Sequence, residues 1–395
     1  MKFKNKWVMR ITACILSVLL LQGFAGCFPA DRIEETEEKE DLSAYVNLMR
    51  RESLQKQFYF EQLSLPEQVW YRDIYLALSG MEEERELHED GLQKIGEEGI
   101  DRVFNAVMND HPEFFYVEGY TYTKYTVRGE LIKITFSGVY TMNTYERVLT
   151  ENQLGEALRE VLAGIGDDAS DYEKVRYVYE YVIFHTDYQK EAKDNQNICS
   201  VLMYGESVCQ GYAKTVQYLL NKLQVNATLV MGSVYDGEAH SFNLVEVDGK
   251  YYYVDATWGD ASYRVPQEDT QAGRLPQISY DYLCLPENLL SLTHVIDTSF
   301  SLPVCDSMDA NYYVQEGAYF TAYDEEAVED FFEKAMDEGK SEVALMCADR
   351  EVYETFVKEL LTDQKIFRYY YTAGGKIAYT EDPEMHSLTF WLVNA

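Results

Sequence analysis

Residues 205–215 read GESVCQGYAKT and place one thiol, Cys209, between a glycine-led turn and the run QGYAKTVQYLLNKL. In that run Tyr212, Val216, Leu219, Leu220 and Leu223 recur at helical spacing. Cys209 is therefore expected at or just before a helix N-terminus. Backbone N–H groups without intrahelical acceptors, and the helix dipole, favour a thiolate there. Gly205 lets the preceding turn bend, and Gly211 lets another segment come close. On this stretch alone a small buried structural cysteine near a helix start is the better reading, so the question becomes whether the chain also supplies a base.

Residues 239–260, AHSFNLVEVDGKYYYVDATWGD, supply one. Asp248-Gly249 is a two-residue hairpin signal between apolar-rich strands. With that turn, Val247 faces Lys250. Carrying the register backwards sets Phe242 opposite Asp255 and His240 opposite Thr257. Alternation puts all four side chains on one face, with His240 and Asp255 as diagonal neighbours within imidazole–carboxylate reach. A thiol nucleophile needs a base or imidazolium partner, and the imidazole needs an acceptor to hold its tautomer. Nothing local brings Cys209 to the hairpin; that contact has to come from the tertiary fold.

Taken together, VCQGYAKTVQYLLNKL and AHSFNLVEVDGKYYYVDATWGD resemble the transglutaminase-like superfamily of papain-type folds. The resemblance covers residues 171–262, and DYEKVRYVYEYVIFHTDY resembles the helix that precedes the nucleophile in bacterial members. It implies an α+β core in which a nucleophile helix packs on an antiparallel sheet. It also implies a triad: Cys209 as nucleophile, His240 as general acid/base and Asp255 as orienting carboxylate. Phe242 stands where the family has Trp, which keeps an aromatic. In this fold the oxyanion is met by the nucleophile's own N–H and an upstream side-chain donor. Tyr188 in HTDY is the candidate, against the alternative of one more core tyrosine among 34. Gln210 and Asp260 read as supporting residues and His185 as a packing histidine. The implied chemistry is acyl transfer through a thioester. Water as acceptor makes a protease or amidase, which is the expectation; an amine makes a cross-linking transamidase. A non-catalytic surface protein binding peptide or cell-wall glycan is the alternative of a different class.

These residues need elements around them, and 395 residues is too long for one ordinary domain. Residues 43–150 read as an N-terminal α+β region: helices broken at Pro66 and Pro112, then strands EGYTYTKYTV and ELIKITFSGVYTM around Arg128-Gly129. Residues 151–304 hold the transglutaminase-like part. Residues 305–395 read as a small α/β module, with NYYVQEGAYFTAY, SEVALMCAD, FRYYYTAGGKIAYT and HSLTFWLV as strands and two helices between them. His111 reads as a helix-end residue. His294 and Cys284 read as ordinary loop or core residues, Cys347 as a buried thiol and His386 as the start of an edge-like strand.

The N-terminus reads as an export signal. MKFKNKWVMR carries four basic residues and no acidic one, and sixteen uncharged residues follow it to Gly26. FAGC then resembles a lipoprotein signal in which Cys27 is lipidated and residues 1–26 are removed. A single membrane-spanning anchor is the alternative; either puts the body outside the cytoplasmic membrane. Residues 27–42 form an acidic tether, with seven acidic and two basic residues in DRIEETEEKED. A net charge of −34 argues against nucleic acid, which needs a basic face. Peptide or protein at the cell surface, including cell-wall peptide, is the expected partner. Cys199, Cys209, Cys284, Cys305 and Cys347 are odd in number, with no CxxC pair and no histidine spacing of a zinc site. No metal or cofactor is expected.

Overall fold

The computed structural model describes residues 42–52, 57–260, 278–371 and 376–393. The export signal, Cys27, the tether up to Asp41 and the prolines Pro266 and Pro276 lie outside the described residues. The chain forms two compact units, residues 1–150 and 151–395. Among the described residues no helix is long and apolar enough to cross a membrane.

In the first unit, helix α1 is Leu42–Glu52 and α2 is Leu65–Gly80. Ser64 and Glu67 cap α2 reciprocally, the Glu67 carboxylate accepting from the Ser64 N–H at 2.8 Å and its hydroxyl at 2.7 Å. Pro66 falls in the first turn, where a missing N–H costs nothing. Strand β1 (Arg85–Glu86) and α3 (Glu89–Lys94) lead into α4 (Gly99–Asp110), which stops before Pro112 as its sequence requires. Strands β2 (Val117–Val127) and β3 (Glu130–Tyr140) pair around Arg128 and Gly129, both at positive φ. Trp70, Tyr71, Ile74, Phe104, Val107 and Phe136 close the core of this unit. Asp110, at the end of α4, is half-buried there. Its carboxylate accepts from the Tyr59 and Phe60 N–H groups at 3.0 and 2.9 Å and from the Tyr71 hydroxyl at 3.1 Å.

Helix α5 (Thr144–Leu162) leads into the second unit. Helix α6 (Asp171–Phe184) opens on a Ser170/Glu173 capping box and buries Val175, Val178, Tyr179, Val182 and Ile183, the stripe its periodicity predicts. Strands β4 (Asp187–Tyr188) and β5 (Glu206–Ser207) form a short parallel pair, with a π-turn over Ser200–Tyr204 between them. Next comes α7 (Cys209–Lys222), followed by β6 (Ala227–Val234), β7 (Ala239–Val247) and β8 (Lys250–Val254). Helix α7 packs on β6, β7 and α6. Tyr212, Val216, Leu219 and Leu220 are all but fully buried, each worth roughly 1.5–3 kcal/mol of apolar burial. Leu223, expected on that stripe, is only half-buried at the helix end. The sheet runs β8-β7-β6-β9, antiparallel throughout, with β9 (His294–Ile296) arriving after the short helices α8 (Ala256–Gly259) and α9 (Glu287–Leu290).

The C-terminal part corrects two expectations. NYYV is a helical turn, α10 (Tyr312–Gln315), because the Asn311 side chain accepts from the Tyr313 N–H and caps it. FRYY is likewise helical, α13 (Ile366–Tyr369). Between them run β10 (Tyr319–Phe320), α11 (Glu325–Asp337), β11 (Glu342–Cys347) and α12 (Arg350–Phe356), and the chain ends with β12 (Lys376–Asp382) and β13 (Ser387–Val393). The sheet order is β10-β11-β13-β12, and Phe332, Leu345, Phe356, Leu388 and Phe390 fill its core. His386 sits at positive φ just before β13, not in it. This part is tied to α6 by Arg176, which reaches Glu316 at 2.6 Å, and to the turn Tyr280–Tyr282 by Tyr312, stacked on Tyr280 at 3.8 Å.

Candidate active site

Cys209 is the first residue of α7, with extended Val208 before it. Gly211 permits the approach foreseen for it: a Cβ there would lie 2.1 Å from Ser207 Oγ, 2.6 Å from Ser200 Oγ and 2.7 Å from the Asn195 carbonyl oxygen. The loop over 195–207 therefore rests directly on the helix start. The chain's other described cysteines are different in kind. Cys199, Cys305 and Cys347 are buried thiols pushed up to about 12 by desolvation, and buried Cys284 is pushed up further still. Cys209 alone of the five is half-exposed.

The hairpin holds the register read from its turn. Asp248 and Gly249 both take positive φ, and Val247 pairs with Lys250, continuing to Asn243 with Val254. The ladder then stops. Asp255 leaves the strand to cap α8, its Oδ1 accepting from the Thr257 and Trp258 N–H groups at 2.9 and 3.1 Å. Thr257 is thus a helical residue and does not face His240, nor does Phe242 pair with Asp255. His240 instead lies opposite Gly232 of β6.

The side-chain contact survives this change. His240 Nε2 donates to Asp255 Oδ2 at 2.6 Å, with both residues nearly fully buried. The Cys209 thiol lies near enough to the same imidazole to favour its charged form. Since Nε2 is committed to Asp255, Nδ1 is the ring nitrogen left to the thiol. Burial opposes a charge on His240, but the Asp255 carboxylate, and then Cys209, outweigh it and hold the imidazole well above its ordinary value. Burial likewise opposes the Asp255 charge, and His240 and His294 together hold that carboxyl well below the usual range. So α7, β7 and the start of α8 bring Cys209, His240 and Asp255 together.

Tyr188 lies on the strand that flanks the approach to α7. It pairs with Ser207 in the β4–β5 ladder, two residues before Cys209, and its ring lies 6.4 Å from Tyr212. Asp260 is structural: buried, it accepts from the Tyr212 hydroxyl at 2.6 Å, linking α7 to the segment after α8. His185 ends α6, stacks on Tyr181 at 4.1 Å and bonds the Tyr181 carbonyl, away from the chemistry. His111 caps α4 and contacts Glu113 and Phe114, as a helix-end residue should.

One residue of the site was not foreseen. His294 is buried, as a core residue would be, but its Nε2 bonds the same Asp255 Oδ2 at 3.0 Å. The Thr-His pair at 293–294 stands far from any recognised motif, so nothing in the order of residues marked it. Among the described residues His240, Asp255 and His294 bring ligand-type atoms within 4.8 Å of one another, a donor set of the kind that holds zinc. Both Nε2 atoms already donate to the carboxylate, so an ion would enter only by displacing those two protons.

Residues 159–256 match the family model described as the Transglutaminase-like superfamily. This segment is a transglutaminase-like domain. It includes all three of Cys209, His240 and Asp255, whereas His294 lies beyond the matched residues. The chain is also similar to kyphoscoliosis peptidase of Mus musculus, 29% identical over 119 residues, an alignment covering 26% of this chain and 18% of that protein. The chain therefore spans about a fifth of the length of the curated relative it matches. Among solved structures it is similar to a TGase crystal structure at 15% identity, covering 40% of this chain and 56% of the other with a TM-score of 0.27. Mixed helix and sheet around the transglutaminase-like domain is the architecture of the second unit.

Proposed function

We propose that this chain is a cysteine enzyme that opens peptide or amide bonds by acyl transfer, with Cys209 as nucleophile and water as the final acceptor. The observation that carries the reading is the convergence of a half-exposed thiol on an imidazole that a buried carboxylate holds at 2.6 Å. In the forward step His240 Nδ1 takes the thiol proton and the Cys209 sulfur adds to the substrate carbonyl carbon. The oxyanion is met by the Cys209 N–H, in the first turn of α7, and by Tyr188. The imidazolium returns its proton to the leaving amine as the C–N bond breaks, leaving a thioester. Water then attacks with His240 as base, and the acid leaves with the thiol restored. Asp255 keeps its negative charge throughout and stabilises the imidazolium.

The reading extends to location. The basic, apolar and FAGC segments in sequence support lipidation at Cys27 and an extracytoplasmic body. Peptide or protein at the cell surface, cell-wall peptide included, is then the substrate class. Mass spectrometry of the mature N-terminus tests it: an acylated Cys27 is expected, and an intact residue 1 would refute the lipoprotein assignment.

The chemistry is tested without a substrate. Iodoacetamide alkylation of Cys209, assigned by peptide mapping, is followed against pH in the full chain and in His240→Ala. Fast reaction well below the free-thiol value of ~8.5, lost in His240→Ala, is the expected result. Ordinary thiol behaviour unaffected by His240 would refute a catalytic pair and favour a binding protein. Incorporation of a labelled primary amine into a glutamine peptide would make amine, not water, the acceptor.

A further inference from the structure

His294 reaches the site from outside the hairpin. It opens β9, paired through Val234 to β6, and its imidazole is fully buried. Four aromatic rings surround it: Trp258 at 4.9 Å, His240 and Phe242 at 5.3 Å each, and Tyr282 at 6.0 Å. Its ring nitrogens are both used. The Thr293 hydroxyl lies 2.7 Å from Nδ1, and Nε2 lies 3.0 Å from Asp255 Oδ2. An ionised carboxylate can only accept. The short contact to Asp255 therefore requires the proton on His294 Nε2, and a neutral ring then accepts the Thr293 proton at Nδ1.

The consequence falls on Asp255. That carboxylate takes four donors from three directions: two backbone N–H groups of α8 on Oδ1, and His240 and His294 on Oδ2. With Oδ1 held by backbone, the plane of the group is set. With His294 on Oδ2, the lone pair left for His240 has one direction. We propose that His294 is a positioning residue, holding Asp255 Oδ2 so that His240 stays in its Nε2–H tautomer with Nδ1 turned to Cys209. The inference rests on the role given above to Cys209 and His240. It adds a fourth side chain, 39 residues beyond the carboxylate it orients.

The test reads the imidazole directly and needs no activity. The chain has six histidines, so ¹⁵N-histidine labelling of the full chain carrying Cys209→Ala gives a spectrum that single substitutions can assign. Recorded above the raised His240 value of about 10, where that ring is neutral, the parent of this series should show His240 and His294 each with its proton on Nε2. In His294→Ala, His240 should lose that single tautomer and populate Nδ1–H. In His294→Gln, whose amide N–H can still donate to Oδ2, His240 should keep it. An unchanged His240 in His294→Ala would overturn the proposal, and so would equal loss in both variants, which would mean packing alone. Should the alanine chain not fold, His294→Phe decides the matter: it keeps an aromatic ring in the pocket but offers Oδ2 no donor, and a His240 that does not respond overturns the proposal. With the thiol restored, alkylation of Cys209 near neutral pH should fall about tenfold in His294→Ala, the scale of one buried hydrogen bond, and much less in His294→Gln. A parent that shows no low-pH thiol reactivity refutes the nucleophile reading, while the tautomer result still judges His294.

Discussion

Asp255 holds His240 at 2.6 Å through Oδ2 while its Oδ1 starts helix α8 by accepting two backbone N–H groups. One side chain thus ends a strand, caps a helix and fixes an imidazole. The two oxygens cannot be exchanged between these tasks. Substitutions at Asp255 should therefore do more than remove a charge.

Asp255→Asn is the sharpest case. The backbone donors keep the amide oxygen at the Oδ1 position, so the NH₂ must face the Nε2–H groups of His240 and His294. Donor meets donor. His240 is driven to the Nδ1–H tautomer and can no longer take the Cys209 proton. Alkylation of Cys209 below the free-thiol range should fall to the level of His240→Ala, with a stability cost of about 1–3 kcal/mol for the buried groups left unpaired. Rates of alkylation and denaturant unfolding check both parts.

Gly232 lies opposite His240 on one side and against β9 on the other. A Cβ at Gly232 would stand 2.3 Å from the Val295 carbonyl oxygen, a backbone atom that cannot swing aside. Gly232→Ala should push β9 away, destabilise the protein by roughly 1–3 kcal/mol as overpacking does, and loosen His294 from Asp255. Thermal unfolding and the His294 ¹⁵N signals would register it; unaltered values for both would refute the clash.

Lys214 on α7 is buried, and desolvation lowers its ammonium to about 8. A lowered lysine means that the unfolded chain binds more protons above that pH, so stability rises as pH climbs from about 8 towards the ordinary lysine value of ~10.4. Lys214→Met should stabilise the protein by roughly 3 kcal/mol at pH 7, and the gain should shrink above pH 8. Melting temperatures across pH 6–10 compare the two chains.

Asp110 carries the opposite sign. Burial raises its carboxyl to about 6 against the hydrogen bonds that it accepts. The folded first unit therefore binds a proton that the unfolded chain has lost. Its contribution is full below the ordinary value of ~3.9 and fades as pH rises through about 6. Asp110→Asn should be less stable than the parent near pH 4, because its NH₂ opposes the backbone donors, and the deficit should narrow by pH 7.5. Unfolding followed at both pH values is the check.

Much of this was legible in the order of residues, for local reasons. The Asp248-Gly249 turn sets the β7–β8 register because a two-residue hairpin leaves one pairing open to its strands. The face of α7 follows from a 3.6-residue period, and its start at Cys209 from where that period begins. Ser170 and Glu173 announce α6 by capping chemistry. Where the reading failed, a local competitor won. Asn311 could cap, so NYYV became a helix. Asp255 could cap, so the ladder ended at Val254 and Thr257 turned away from His240.

Near-neighbour interactions fix which side chains could carry the chemistry and on what elements they ride. Periodicity, turns and caps are interactions between near neighbours, and a linear reading sees them. Long-range packing brings Cys209 to His240, returns β9 beside β6, and thereby lets His294 share the carboxylate of Asp255. Those contacts join segments tens of residues apart. They exist because α7, the sheet and the segment after α8 bury their apolar faces together, and the polar groups carried inside must then find one another in place of water.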